Sequence, residues 1–186
     1  MTEGESMVIY IALLRGINVS GHNKIKMAEL RRTLETMGLS QVQTYIQTGN
    51  VLFKSEESLE QLRLRIEDGI RTNFGISITV VLRTAEELER IIADCPYADV
   101  PLAEGESIHV SILTEPPPQK VVDQLASSEY NNDEYHIHGR EIYFLFRQSI
   151  LDSELAKNMY KLGNKATTRN WNTINKVAAL VKAMQV

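Results

Sequence analysis

Two nine-residue stretches of this chain read alike, and their likeness constrains the fold more than any other feature. Tyr45-Ile46-Gln47-Thr48-Gly49-Asn50-Val51-Leu52-Phe53 and His136-Ile137-His138-Gly139-Arg140-Glu141-Ile142-Tyr143-Phe144 each set an isoleucine, a polar residue and a glycine-containing bend ahead of an apolar strand. Glycine supplies the left-handed backbone that a tight bend needs and other residues resist. Each stretch therefore reads as a β-hairpin. Their separation points to an internal duplication with a period of roughly 95 residues.

The chain around the first hairpin fills in a full unit. Met7 to Leu14 is a continuous apolar run, the pattern of a buried central strand. A polar loop follows from Gly16 to Ile25. Met27, Leu30, Leu34 and Met37 then fall at helical spacing, and Gly38 supplies the stop. After the hairpin, Ser58 with Gln61 three residues on reads as a capping box for a helix to about Asn73. Ile76 to Leu82 alternates as a strand. This is β-α-β-β-α-β, the ferredoxin-like order. Thr84 caps a further short helix that Cys95-Pro96 ends.

The loop from Ala98 to Glu106, with Pro101 and Gly105, is the natural boundary. It gives an N-terminal ferredoxin-like half over 1–100 and a C-terminal half over 101–186. In the second half Ser107 to Leu113 is a strand, and Pro116-Pro117-Pro118 opens a helix. The second hairpin and a helix from Asp152 to Leu162 come next. Where a fourth strand is due, Gly163 to Asn170 is short and polar, so this half reads as degenerate, trading that strand for a final helix from Trp171. The expected fold class is thus α+β, two ferredoxin-like halves, the second degenerate and ending in a helix.

The apolar runs are far short of the ~20 residues a bilayer span needs. Met1 to Ser6 carries Glu3 and Glu5 rather than a basic leader, and Cys95 is the one cysteine. A cytoplasmic protein without disulfides is the expectation. Charge is uneven: residues 51–155 hold 9 Lys/Arg against 20 Asp/Glu, and residues 156–186 hold 6 Lys/Arg and no acid. That marks either a patch for a polyanion or a cationic last helix docked on an acidic body.

The ferredoxin-like order places the end of the first strand and the first hairpin's bend on one edge of the sheet. Arg15, Gly16 and Asn18 then stand near Gln47, Thr48, Gly49 and Asn50, and the loop also offers Lys24 and Lys26. Glycine exposes backbone N–H groups and the cations supply charge, which suits a phosphate or carboxylate. Arg169, just ahead of the last helix, is a second candidate anion contact. Gly16 and Gly21 have P-loop spacing, but His22 and Asn23 occupy the places of its lysine and hydroxyl. His136 and His138 share a strand face without further ligands to complete a metal set, and no nucleophile elbow or aromatic RNP strand is present.

Ile11-Ala12-Leu13-Leu14-Arg15-Gly16-Ile17-Asn18-Val19, Tyr45-Ile46-Gln47-Thr48-Gly49-Asn50-Val51 and Ala166-Thr167-Thr168-Arg169-Asn170-Trp171-Asn172-Thr173 together resemble the bacterial domain-of-unknown-function family 1697. The family pattern usually has serine at the place of Thr48, a change that keeps the hydroxyl. The resemblance implies a compact cytoplasmic α+β protein and brings no reaction, cofactor or catalytic residue. Three functions stay open: binding of a phosphorylated or anionic ligand, nucleotide or nucleic acid; a small-molecule enzyme with a site between the two halves; and a protein-interaction module.

Overall fold

The computed structural model describes residues 7–185. Met1 to Ser6, on which the expectation about a leader falls, lie outside them. The chain divides into two compact units, one running to Glu89 and taken up again at Val177, the other Arg90–Lys176.

The first unit runs β1 (Val8–Leu14), α1 (Met27–Thr36), β2 (Ser40–Tyr45), β3 (Asn50–Ser55), α2 (Leu59–Phe74), β4 (Val80–Thr84) and into α3 (Ala85–Ala93). Its sheet has the order β2-β3-β1-β4, antiparallel throughout. Tyr10, Ala12 and Leu14 of β1, Val51 and Phe53 of β3, and Val80 and Leu82 of β4 pack against Leu30 and Leu34 of α1 and Leu62, Ile66 and Ile70 of α2. Ile11, Leu13, Leu52 and Val81 on the opposite sheet face are buried as well. Burial of both faces is why β1 reads as an unbroken apolar run rather than an alternating one.

The second unit repeats the plan: β5 (Ser107–Leu113), α4 (Gln119–Ala126), β6 (Glu134–His138), β7 (Glu141–Phe146), α5 (Glu154–Tyr160) and β8 (Ala166–Asn170), followed by the start of α6 (Trp171–Met184). Its sheet order is β6-β7-β5-β8, the same permutation. Leu113, Ile142, Phe144 and Phe146 pack on Leu125, Leu155 and Met159. Equivalent backbone bonds close both sheets. Leu14 N donates to Gly49 O as Leu113 N does to Arg140 O, each at 2.9 Å, and Arg15 N to Thr79 O (3.0 Å) as Thr114 N to Lys165 O (2.9 Å). Even a buried arginine recurs: Arg83 pairs across from Ile11, and Arg169 across from Val110. The molecule is an α+β fold of two repeated halves.

One expectation is corrected here. The second half is not degenerate: Ala166–Asn170 forms its fourth strand and pairs with β5 along its length. The strand is polar because its polar groups are answered locally. Ser111 Oγ and Thr168 Oγ1 bond at 2.7 Å, and Arg169 Nη1 donates to Thr167 Oγ1 at 2.7 Å. A search for apolar alternation passes over such a strand. In the first half the last strand begins later than its apolar alternation suggests, at Val80; Ile76 and Ile78 pack on the core without joining the sheet.

Helix starts follow local chemistry. Ser58 accepts from Gln61 N (3.4 Å), Ser153 from Ala156 N (3.1 Å) and Asn170 from Thr173 N (2.8 Å). Thr84 and Glu87 close a reciprocal capping box at 3.2 and 3.0 Å. The three prolines stand just ahead of α4, with Pro118 at its N-cap.

His109 on β5 is half-buried, its ring edge-on to Phe146 with centroids 5.4 Å apart. Burial holds its imidazole below the usual range. The unfolded chain, titrating near pH ~6.5, takes up this proton before the folded chain does. Stability from the group is therefore complete above about pH 6.5 and is lost as pH falls through the folded value. Urea midpoints compared between about pH 7.5 and 5.5 are expected to fall less in His109→Gln than in the parent. An equal fall in both would show that His109 does not couple folding to protons.

Candidate functional site

The link from β1 to α1 is held at its two ends by Ile17 and Ile25, both buried. Between them the backbone turns repeatedly into the left-handed region: Gly16, Asn18, Ser20, Gly21 and Asn23 have φ between 49° and 77°. Asparagine bears this conformation better than most side-chain-bearing residues. Val19 to His22 closes a tight turn through His22 N to Val19 O at 2.8 Å, with Ser20 and Gly21 both left-handed as a type I′ bend requires.

Asn18 organises the loop. Its Nδ2 donates to Ile25 O (3.0 Å) and to Gln47 O (2.8 Å), and its Oδ1 accepts from Ile25 N (2.9 Å). Asn23 Nδ2 donates to Gly16 O at 3.1 Å. One amide thereby ties the loop both to itself and to the bend of the hairpin.

That bend is built to be approached. Tyr45 pairs with Asn50, and Asn50 pairs with Leu13 at the end of β1. Asn50 is fully buried and its Nδ2 donates to Tyr45 O and Thr48 Oγ1, both at 3.0 Å, which locks the turn. Gly49 has φ +86°, and a Cβ there would stand 2.8 Å from Leu14 Cβ and 2.9 Å from Ile17 Cδ1.

A cleft of about 570 Å³ opens where this loop meets the start of α1, lined chiefly by Asn18, Lys24, Lys26, Met27, Glu29 and Gln47. Lys26 is the N-cap of α1 and offers no side-chain cap, unlike Ser58, Thr84, Ser153 and Asn170 at other helix starts. The first-turn N–H groups of Met27 and Ala28 thus face the cleft end of the helix without a capping side chain. The ammonium groups of Lys24 and Lys26 and the carboxylate of Glu29 make no hydrogen bond or ion pair among the described residues.

Of the residues singled out from sequence, Asn18, Lys24 and Gln47 line the cleft. Arg15 and Gly16 stand on the same sheet edge at the end of β1, while Thr48 and Asn50 build the turn behind it. Arg169 lies in the other unit. It is buried on β8, its Nη1 donates to Thr167 Oγ1 and to Thr168 O (3.0 Å), and burial draws its guanidinium down to about 10. Met27 and Glu29 were not picked out from sequence. The signal that could have found them is Lys26 in the N-cap place, where a capping hydroxyl is expected.

The sequence profile of the family described as "Protein of unknown function (DUF1697)" matches residues 7–143. The chain belongs to the DUF1697 family. No curated protein matches it. Among solved structures, this DUF1697 protein is similar to the conserved bacterial protein SP0830 from Streptococcus pneumoniae, at 28% identity and a TM-score of 0.79, covering 94% of this chain and 98% of that one. The two-repeat architecture is therefore shared along nearly the whole length of both.

Elsewhere in this DUF1697 chain, no described group of three or more His, Cys, Asp and Glu side chains could hold a metal ion. The rings of His136 and His138 stack at 6.3 Å, and His138 Nε2 lies 3.3 Å from Asp94 Oδ2. Cys95 is buried, and burial pushes its thiol up, away from the reactive thiolate. No described helix is long and apolar enough to cross a membrane.

Proposed function

We propose that the first repeat binds a phosphorylated or otherwise anionic ligand, a nucleotide or a nucleic acid strand, in the cleft between the Gly16–Ile25 loop, the start of α1 and the hairpin bend. The observation that carries this is a difference between the two repeats. Both must connect the first strand of a sheet to the helix behind it. The second repeat does so with the short link from Thr114 to Pro118; the first spends the whole stretch from Arg15 to Lys26. The same strand order closes with the shorter link in the second repeat, so the topology alone does not call for the added chain. What it adds is an amide clamp and two lysines without partners among the described residues, set around one cavity at the helix start.

Such a combination favours negative charge. Lysine ammonium groups act as point charges toward phosphate, and free first-turn N–H groups aim positive partial charge in the same direction. The cavity at Glu106, Asn131, Asn132, Glu134 and Arg147 differs in that its one cation is paired to Glu106 at 3.2 Å.

Titration at low salt with mononucleotides and with short single-stranded RNA and DNA tests the reading. Saturable binding is expected, and Lys24→Ala with Lys26→Ala together should weaken it by about tenfold or more. A steep loss with added salt would mark a strand that neutralises several phosphates, and a shallow loss a small ligand. Absence of saturable binding of all these probes, and of inorganic phosphate, would remove the proposal.

A further inference from the structure

Glu29 is the single carboxylate among the residues that line the cleft. An acid at the third position of a helix ordinarily folds back onto the N-cap N–H, as Glu87 does on α3 by accepting from Thr84 N at 3.0 Å. Glu29 occupies that position on α1 and does not fold back; it makes no hydrogen bond or ion pair among the described residues. Its carboxylate is left to the cavity, which it shares with Lys24, Lys26 and the apolar side chains of Ile25 and Met27.

A lining that holds both cations and an acid is mismatched to a ligand that is negative throughout. Each non-bridging oxygen brought to Glu29 would meet like charge. It suits a ligand that is anionic at one end and donates hydrogen bonds at the other, because hydroxyl groups turn the carboxylate from a repulsive neighbour into a charge-assisted acceptor. A nucleic acid strand, with a charge at every nucleotide, calls for a groove of successive cations and stacking aromatic side chains. The cleft has two lysines and no aromatic ring in its lining. Its volume of about 570 Å³ lies in the range of small-molecule sites.

Resting on the anion-binding reading above, we infer that the ligand is a small phosphate ester bearing free hydroxyl groups, in the size class of a ribonucleoside monophosphate, and that Glu29 selects it by accepting from those hydroxyls. The phosphate lies toward Lys24 and Lys26, and the sugar hydroxyls toward Glu29. Glu29 is exposed on the first turn of α1, so its replacement leaves the core intact.

The test is calorimetric titration of the full chain with three sets of probes: the four ribonucleoside 5′-monophosphates with ribose 5-phosphate, their 2′,3′-dideoxy monophosphate counterparts, and inorganic phosphate. Hydroxylated esters are expected to bind about tenfold or more tightly than the dideoxy ones, and Glu29→Gln should erase most of that preference. The same substitution should leave inorganic phosphate bound equally well or better, since it removes a like charge. Hydroxylated and dideoxy esters binding alike to the parent protein would overturn the inference and leave the anion site standing. So would binding of inorganic phosphate without binding of any ester. Failure of every probe, inorganic phosphate included, would take down the anion-binding reading itself. The comparison of ligands on the parent protein decides the matter even if the variant proves unstable.

Discussion

Gly49→Ala is expected to lower the stability of the protein by about 3 kcal/mol, the sum of a left-handed backbone held by a side-chain-bearing residue and an overpacked contact. The contact is specific. A Cβ at this position would lie 2.8 Å from Leu14 Cβ and 2.9 Å from Ile17 Cδ1, and both partners are anchored in the core. Neither can withdraw cheaply, since Leu14 is the last residue of β1 and its N–H is bonded to Gly49 O at 2.9 Å. For a chain of this size the cost corresponds to a fall in Tm of roughly 6–12 °C. Gly16→Ala is the control. Its φ of +71° is similarly left-handed but nothing lies within 4 Å of the added carbon, so only the backbone cost of about 1 kcal/mol is expected. Equal losses in the two variants, measured by thermal and urea unfolding, would show that the close approach of the bend to β1 does not govern the fold here.

Asn18→Ala should cost about 2–4 kcal/mol and abolish the proposed anion binding with it. The substitution deletes three hydrogen bonds to main chain, at 3.0, 2.8 and 2.9 Å, each worth about 1 kcal/mol net. It strands the N–H of Ile25, a residue that is buried, and puts alanine at a φ of 55°. Amide exchange at Ile25 should speed up markedly, because that N–H loses its acceptor. Asn18→Gly separates the two contributions. Glycine relieves the backbone cost and should recover about 1 kcal/mol, yet it restores none of the bonds to Ile25 and Gln47, so binding should remain lost. A Gly variant that regains both stability and binding would mean that the amide clamp is dispensable.

Much of the first repeat, and the hairpin of the second, could be read residue by residue. The caps at Ser58 and Thr84 and the bends at Gly49 and Gly139 are short-range events, decided by side chains within a few positions of the backbone groups they satisfy. The shared edge of Arg15 and Asn50 was legible too, because strand order in a β-α-β-β-α-β unit dictates which loops meet. The fourth strand of the second repeat was not. Thr167, Thr168 and Arg169 carry no apolar alternation, and they become a strand because β5 supplies the pairing and the Ser111 hydroxyl answers Thr168. Lys26 and Glu29 were visible as residues but not as parts of one cavity, since nothing local says whether an acid at the third helical position folds back or faces outward.

What the amino-acid sequence determined by itself was the order of elements in the first repeat, the duplication and the edge on which the loop and the bend meet. These depend on periodicity, chain connectivity and bonds spanning a few residues, all of which are written consecutively along the chain. What only the tertiary structure decided was that polar Ala166–Asn170 pairs as a strand, that Asn50 is buried to brace the turn while Asn18 clamps the loop, and that Glu29 has no partner among the described residues in a cleft it shares with two lysines. Those outcomes depend on which distant groups arrive to satisfy or abandon a hydrogen bond, and that is settled only when the sheet has closed.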